Sequence, residues 1–192
     1  MARYAMYKEA TQSSKLLDIK ILGFSLIDLL FTLVISSILL SLVFPSYRHL
    51  IIEVRLLALT EKMTSAINYA RSEALKRRSV VNVCKSSDGK TCGGQWHDGW
   101  IIFVGSYMRR PLQNNFLRVY TALKKNEFLK WHGAGGHEYL QLNPDGSARG
   151  HNGSFVICVR VLSKEKMWFI RVSATGRMRI DKEKEYRWNC NY

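Results

Sequence analysis

Near the C-terminus two arginines stand one residue apart in Gly176-Arg177-Met178-Arg179, and a third, Arg171, precedes them at even spacing. A guanidinium is a permanently charged, planar fork of donors that suits phosphate oxygens. From 168 to 180 the even positions Trp168, Ile170, Val172, Ala174, Met178 and Ile180 are apolar or small, whereas the odd ones include Arg171, Ser173, Thr175, Arg177 and Arg179. A strand alternates faces with period two, so this pattern gathers the arginines on the side opposite the apolar residues. Gly176 gives the backbone freedom to approach a phosphate closely. The tail Asp181-Lys182-Glu183-Lys184-Glu185-Tyr186-Arg187 alternates in sign, leaving Lys182, Lys184 and Arg187 as secondary phosphate contacts. The chemistry on offer is electrostatic capture of a polyanion.

Charge over the rest of the chain agrees. Residues 46–192 carry 25 Lys and Arg against 12 Asp and Glu, a net charge of +13, which suits polyanionic partners. Charge alone is equally consistent with a solvated surface or attraction to anionic lipid. Arg109-Arg110, Lys124-Lys125 with Lys130, and Lys76-Arg77-Arg78 read as solvated clusters that could widen a basic face. No helix is shaped for a major groove and no aromatic series lies on the basic face, so the expectation is phosphate-backbone contact without sequence preference. Enzyme readings find little support. His97 beside Asp98 lacks a nucleophile partner, and Gly133-Ala134-Gly135-Gly136 lacks the strand and helix that frame a phosphate loop. His132, His137 and His151 read as loop residues, and Trp96, Trp100, Trp131, Trp168 and Trp188 as packing. No catalytic residue, metal or cofactor is expected.

A second chemically pointed residue sits at the other end. Phe24 to Phe44 is a run of 21 mostly apolar residues holding one acid, Asp28. That is long enough to span a membrane, and a carboxylate within lipid costs a few kcal/mol unless something neutralises it. The plain alternative is an ordinary anchor with Asp28 near the headgroups.

The flanks give the acid a context. Gly23 followed by Phe24, Asp28 five positions into the apolar run, and Pro45 at its end resemble the N-terminus of a type IV prepilin. The resemblance implies cleavage between Gly23 and Phe24 by prepilin peptidase, N-methylation of Phe24, and an assembly role for Asp28 against the Phe24 amine of a neighbouring subunit. The family usually has Glu where this chain has Asp, one methylene shorter. The leader, residues 1–23, is net positive with Arg3, Lys8, Lys15 and Lys20 against Glu9 and Asp18, and so is expected to stay cytoplasmic. The expected divisions are therefore the leader 1–23, a transmembrane and filament-stem segment 24–45, and a globular domain 46–192. That domain would face the periplasm from the inner membrane and later the exterior, in the pilus.

Apolar residues Leu50, Ile51, Val54, Leu57, Ala58, Met63, Ile67, Ala70 and Ala74 recur at three- and four-residue steps, predicting one helix from Phe24 to about Lys76 that continues through Pro45. Beyond it the period changes to strands at 79–84, 100–104, 116–122, 127–131, 138–142, 155–162 and 167–174. Asn143-Pro144-Asp145-Gly146 is a turn, and Ser163–Lys166 closes a hairpin. The expected class is α+β, a long helix on antiparallel sheet. The four cysteines allow three pairings; Cys84 and Cys92 flank a short turn-rich segment as a local pair, leaving Cys158 with Cys190. A zinc site lacks the ligand spacing.

Within the pilins the globular part resembles the FimT/GspH family. The residues that carry this are Val83-Cys84 with Cys92, Gly99-Trp100-Ile101-Ile102-Phe103, Leu117-Arg118-Val119, Asn143-Pro144-Asp145-Gly146, Gly153-Ser154-Phe155 and Val172–Arg179. The FimT branch is implicated in DNA uptake during natural transformation and carries a Gly-Arg-x-Arg motif that binds DNA. Gly176-Arg177-Met178-Arg179 matches it, implying DNA and other pilins as partners. The alternative is a structural pseudopilin of a type II secretion system, the GspH branch.

Overall fold

The computed structural model describes residues 25–106, 111–161 and 164–182, and within them the side chains of residues 42, 43, 45, 46, 48, 49 and 113 are not described. Gly23, Phe24, Arg109, Arg110, Lys184, Arg187, Trp188 and Cys190 lie outside the described residues. The chain divides into two compact units, one ending at Val43 and one beginning at Phe44.

One helix, α1, runs from Leu26 to Arg77. In the first unit Asp28 lies in the opening turn, where its carboxylate accepts the Ser25 N–H at 3.3 Å. The side chains from Leu26 to Leu40 are exposed, among them Leu26, Ile27, Leu29, Leu30, Phe31 and Leu33. Among the residues whose side chains are described, no helix is long and apolar enough to cross a membrane. The run Phe24–Phe44 includes Phe24, Leu42 and Val43, which fall outside that description.

In the second unit α1 buries Ile52, Leu56, Leu59, Met63, Ala66, Ile67, Ala70 and Ala74, spaced three and four residues apart as one helical face requires. Each large side chain among them contributes about 1.5–3 kcal/mol through burial. The stripe expected from the sequence was right from Met63 onward and misplaced before it. Leu50, Val54 and Leu57 are exposed, because the same spacing fits two adjacent faces in a segment that is apolar on both. The helix ends where Arg78 takes a left-handed conformation with φ +48° and the Ser79 N–H reaches back to the Ala74 carbonyl at 3.3 Å, a Schellman closure that satisfies a terminal carbonyl.

Eight strands follow: β1 (Val81–Lys85), β2 (Gly99–Val104), β3 (Phe116–Thr121), β4 (Glu127–Gly133), β5 (Tyr139–Leu142), β6 (Gly153–Val161), β7 (Lys164–Val172) and β8 (Met178–Asp181). They form two four-stranded antiparallel sheets, ordered β3-β2-β1-β5 and β4-β6-β7-β8. The structure is α+β, as the sequence predicts. The alternation of β6 and β7 sends Phe155, Ile157, Val159, Trp168, Ile170 and Val172 into the core shared with α1. In the first sheet Ile101 and Phe103 face the other way, into a smaller cluster with Cys84 and Cys92, which are joined in a disulfide. Cys158 is buried in β6; Cys190, its expected partner, is outside the described residues.

Two expectations need correction. The stretch 167–180 is two strands rather than one, because the chain reverses between Val172 and Met178. Likewise Lys164, Glu165 and Lys166 already belong to β7, which pairs with β6 from Val161↔Lys164 onward.

Candidate nucleic-acid interface

The reversal between β7 and β8 is built by its own side chains. Ser173 N–H donates to the Arg177 carbonyl at 2.9 Å, and Gly176 N–H to the Ser173 carbonyl at 2.8 Å. Ser173 Oγ accepts the Arg177 N–H at 3.2 Å and contacts Thr175 Oγ1 at 2.9 Å. Gly176 adopts φ +74°, the left-handed region that favours glycine. A Cβ at this position would meet the Gly146 carbonyl oxygen at 2.2 Å, and Gly176 itself is buried. The glycine of the motif therefore packs one turn against another.

The supporting turn, 143–149, is also held from within. Gly146 N–H donates to the Asn143 carbonyl at 2.8 Å. The Asp145 carboxylate accepts the Ser147 N–H at 2.9 Å and pairs with Arg149. Hydrogen bonds from Ser147, followed by Arg149, pull the Asp145 pKa down to about 2. Ala148 N–H then donates to the Ala174 carbonyl at 2.9 Å, joining the two turns. Arg71 of α1 lies beneath both, with its buried Nε unpartnered among the described residues.

On this platform the arginines converge. Arg171 and Arg179 are directly opposite each other across β7 and β8, and Ile170 is opposite Ile180. Residue pairs of one antiparallel ladder share a face, so the five-residue reversal preserves the odd-number grouping that a single strand would have given. Arg171, Arg177 and Arg179 are all exposed. Arg171 Nε is 2.8 Å from Asp181 Oδ2, which offsets part of its charge. Among the described residues no carboxylate pairs with Arg177 or Arg179. Lys182 lies over the Trp168 ring, its Nζ 4.5 Å from the centroid, within cation–π range. Two depressions flank this ridge. One, of ≈ 400 Å³, is lined by Ser173, Arg177 and Met178; the other, of ≈ 710 Å³, opens between α1 and β8, and both share Arg171 and Arg179.

Of the sequence candidates, the structure brings together Arg171, Arg177, Arg179 and Lys182, with Gly176 beneath them. Lys124 and Lys125 lie after β3, Lys130 lies in β4 and Lys76 lies at the end of α1, and Arg77 is engaged with Glu73 at 2.5 Å. Leu57, Thr60 and Trp168, which line the larger depression, were not among the sequence candidates for the site. Leu57 and Trp168 carried only an apolar or packing role in the sequence, and Thr60 carried none. Among the described residues no group of three or more His, Cys, Asp or Glu side chains is placed to hold a metal.

Comparison with known proteins places the chain. The family model of the type II transport protein GspH matches residues 59–176, ending at the glycine that precedes Arg177. No match was found among curated proteins. Crystal structures of the type IV minor pilin FimU of Pseudomonas aeruginosa, in two crystal forms, share the fold. One is 19% identical with a TM-score of 0.52, covering 67% of this chain and 90% of FimU. The other is 20% identical with a TM-score of 0.50, covering 66% and 92%. The chain belongs to the GspH family and has the type IV pilin fold.

Proposed function

We propose that this protein is a minor pilin of a type IV pilus that captures DNA through its phosphate backbone for uptake in natural transformation. The observation that carries the reading is the exposed β7–β8 hairpin, where Arg171 and Arg179 face each other beside Arg177. Arg177 and Arg179 have no carboxylate partner among the described residues. Phosphate contacts of this kind are sequence-independent, with dissociation constants on the order of 10⁻⁴ to 10⁻⁶ M at physiological salt. Lys182 adds a fourth cation, and Lys184 and Arg187 of the tail extend the series in sequence.

In this reading prepilin peptidase removes residues 1–23 after Gly23, Phe24 becomes the methylated N-terminus, and Asp28 meets that amine in a neighbouring subunit. The exposed apolar side chains of 26–40 support a segment that lies in the inner membrane before assembly and against other pilins afterwards. Titration of mixed-sequence duplex DNA into the full chain in non-ionic detergent tests the proposal. Binding by the wild type and its loss in a folded Arg177→Ala/Arg179→Ala variant is the expected result; no binding by the wild type at low salt overturns it.

The match to the GspH model over residues 59–176 favours a second reading, a structural pseudopilin of a type II secretion system. In that case the same double substitution leaves filament assembly and secretion intact, and no DNA is bound.

A further inference from the structure

The larger depression beside the arginine ridge has features that phosphate capture does not use. Leu57 of α1 and Ile180 of β8 line it, and both stay nearly half exposed, at 46% and 45%. Thr60 and Trp168 line it too, only 1% and 3% exposed, yet among the described residues Thr60 Oγ1 and Trp168 Nε1 have no hydrogen-bond partner. Buried polar groups without partners are rare and costly in native structures. Two such groups on residues that line one cleft suit an acceptor brought into it. The acids on the rim are Glu61 and Asp181, and Asp181 is already engaged by Arg171. Arg171, Arg179 and Lys182 leave the rim positive.

We propose that the cleft between α1 and β8 accepts an unstacked nucleobase, so that the protein prefers single-stranded to duplex DNA; this rests on the DNA-capture reading above. The base lies between Leu57 and Ile180, and its ring carbonyl takes the hydrogen bonds of Trp168 Nε1 and Thr60 Oγ1. The adjoining phosphates stay on Arg171 and Arg179, which line both depressions. Lys182 covers the Trp168 ring and meets the next phosphate. A paired base cannot enter, because its edge and faces are committed to the duplex. Contact of this kind tolerates any base, so the protein would still take up arbitrary sequence.

The test compares an oligonucleotide of about twelve residues, a length within the usual single-strand site size, with the duplex of the same sequence at one low salt concentration. The full chain is used in non-ionic detergent and fluorescence anisotropy is the readout. The single strand is expected to bind about tenfold tighter, the scale of one base contact. Thr60→Val removes a donor at constant shape, and Ile180→Ser removes one apolar wall at the exposed edge. Each should cut that advantage to about threefold or less and leave duplex affinity where it was. Trp168→Phe should do the same, with thermal unfolding as the check that it folds. Equal binding of strand and duplex, or an advantage that survives all three substitutions, overturns the proposal and leaves the cleft to a side chain of another pilin. Failure of the wild type to bind either form overturns the DNA-capture reading as well.

Discussion

Replacing Gly176 with alanine separates the packing of the Gly-Arg-x-Arg turn from its charge, and Gly150 supplies the control. Both glycines are left-handed, with φ +74° and +79°. An L residue in that conformation costs roughly 1–2 kcal/mol. They differ in what surrounds them. A Cβ on Gly150 would have nothing within 4 Å, whereas a Cβ on Gly176 would stand 2.2 Å from the Gly146 carbonyl oxygen. The two turns must then part, and the Ala148 N–H bond to the Ala174 carbonyl goes with them, worth about 1 kcal/mol. Gly150→Ala should cost about 1 kcal/mol and Gly176→Ala about 3. In a chain of this size 1 kcal/mol moves Tm by about 2–4 °C, so the shifts should be about 2–4 and 6–12 °C. Thermal unfolding of the two full-chain variants, followed by circular dichroism, reads the difference. Equal shifts would refute the close contact between the turns, and with it the idea that Gly176 is a structural member of the motif.

Four further outcomes follow from the geometry. Arg78→Gly should raise stability by about 1 kcal/mol in urea unfolding, because Arg78 is non-glycine at φ +48°. Cys84→Ala/Cys92→Ala opens a loop of sequence separation 8 and should cost about 2–3 kcal/mol, read by the same assay. His151 and His132 have pKa values pushed down, first by burial and then by His137 and Lys130 respectively. The unfolded chain then takes up those protons at higher pH than the folded one. Stability is full above the unfolded pKa of about 6.5 and falls as pH drops below it, so the urea midpoint should be lower at pH 5 than at pH 7, and less so in His151→Gln. The Asp145 carboxyl, at about 2, supports the turn above the ordinary aspartate range and should lose that support between about pH 4 and pH 2. Asp145→Asn should flatten the acid limb of the stability curve there.

The fold was legible because its periods are strong. Seven strands fall within three residues of where alternation puts them, and α1 ends in the basic cluster Lys76-Arg77-Arg78. Harder to read was the choice between two apolar faces from Leu50 to Leu59, since three- and four-residue spacing runs through both Leu50-Val54-Leu57 and Ile52-Leu56-Leu59. Only the sheets decide which face is covered. Arg171 and Arg179 lie opposite each other, as alternation along one strand would also have grouped them, but for a different reason. Arg171 and Arg179 share a side because five residues intervene between Val172 and Met178, and a four-residue reversal would have split them. The packing of Gly176 on Gly146 and the cleft formed by Leu57, Trp168 and Ile180 join segments 30 or more residues apart, and no local pattern announces either.

DNA capture by the β7–β8 hairpin stands or falls on a salt titration of the wild type and Arg177→Ala/Arg179→Ala chains with duplex DNA. With the charge of Arg171 offset by Asp181, Arg177, Arg179 and Lys182 count as three net phosphate contacts and predict a slope of log affinity against log salt of about −2.7, a loss of about 40-fold between 50 and 200 mM. Removing two contacts should leave a slope of about −0.9 and a loss of about fourfold over the same range. An unchanged slope in a folded double variant, or no wild-type binding at the lower salt, would contradict it.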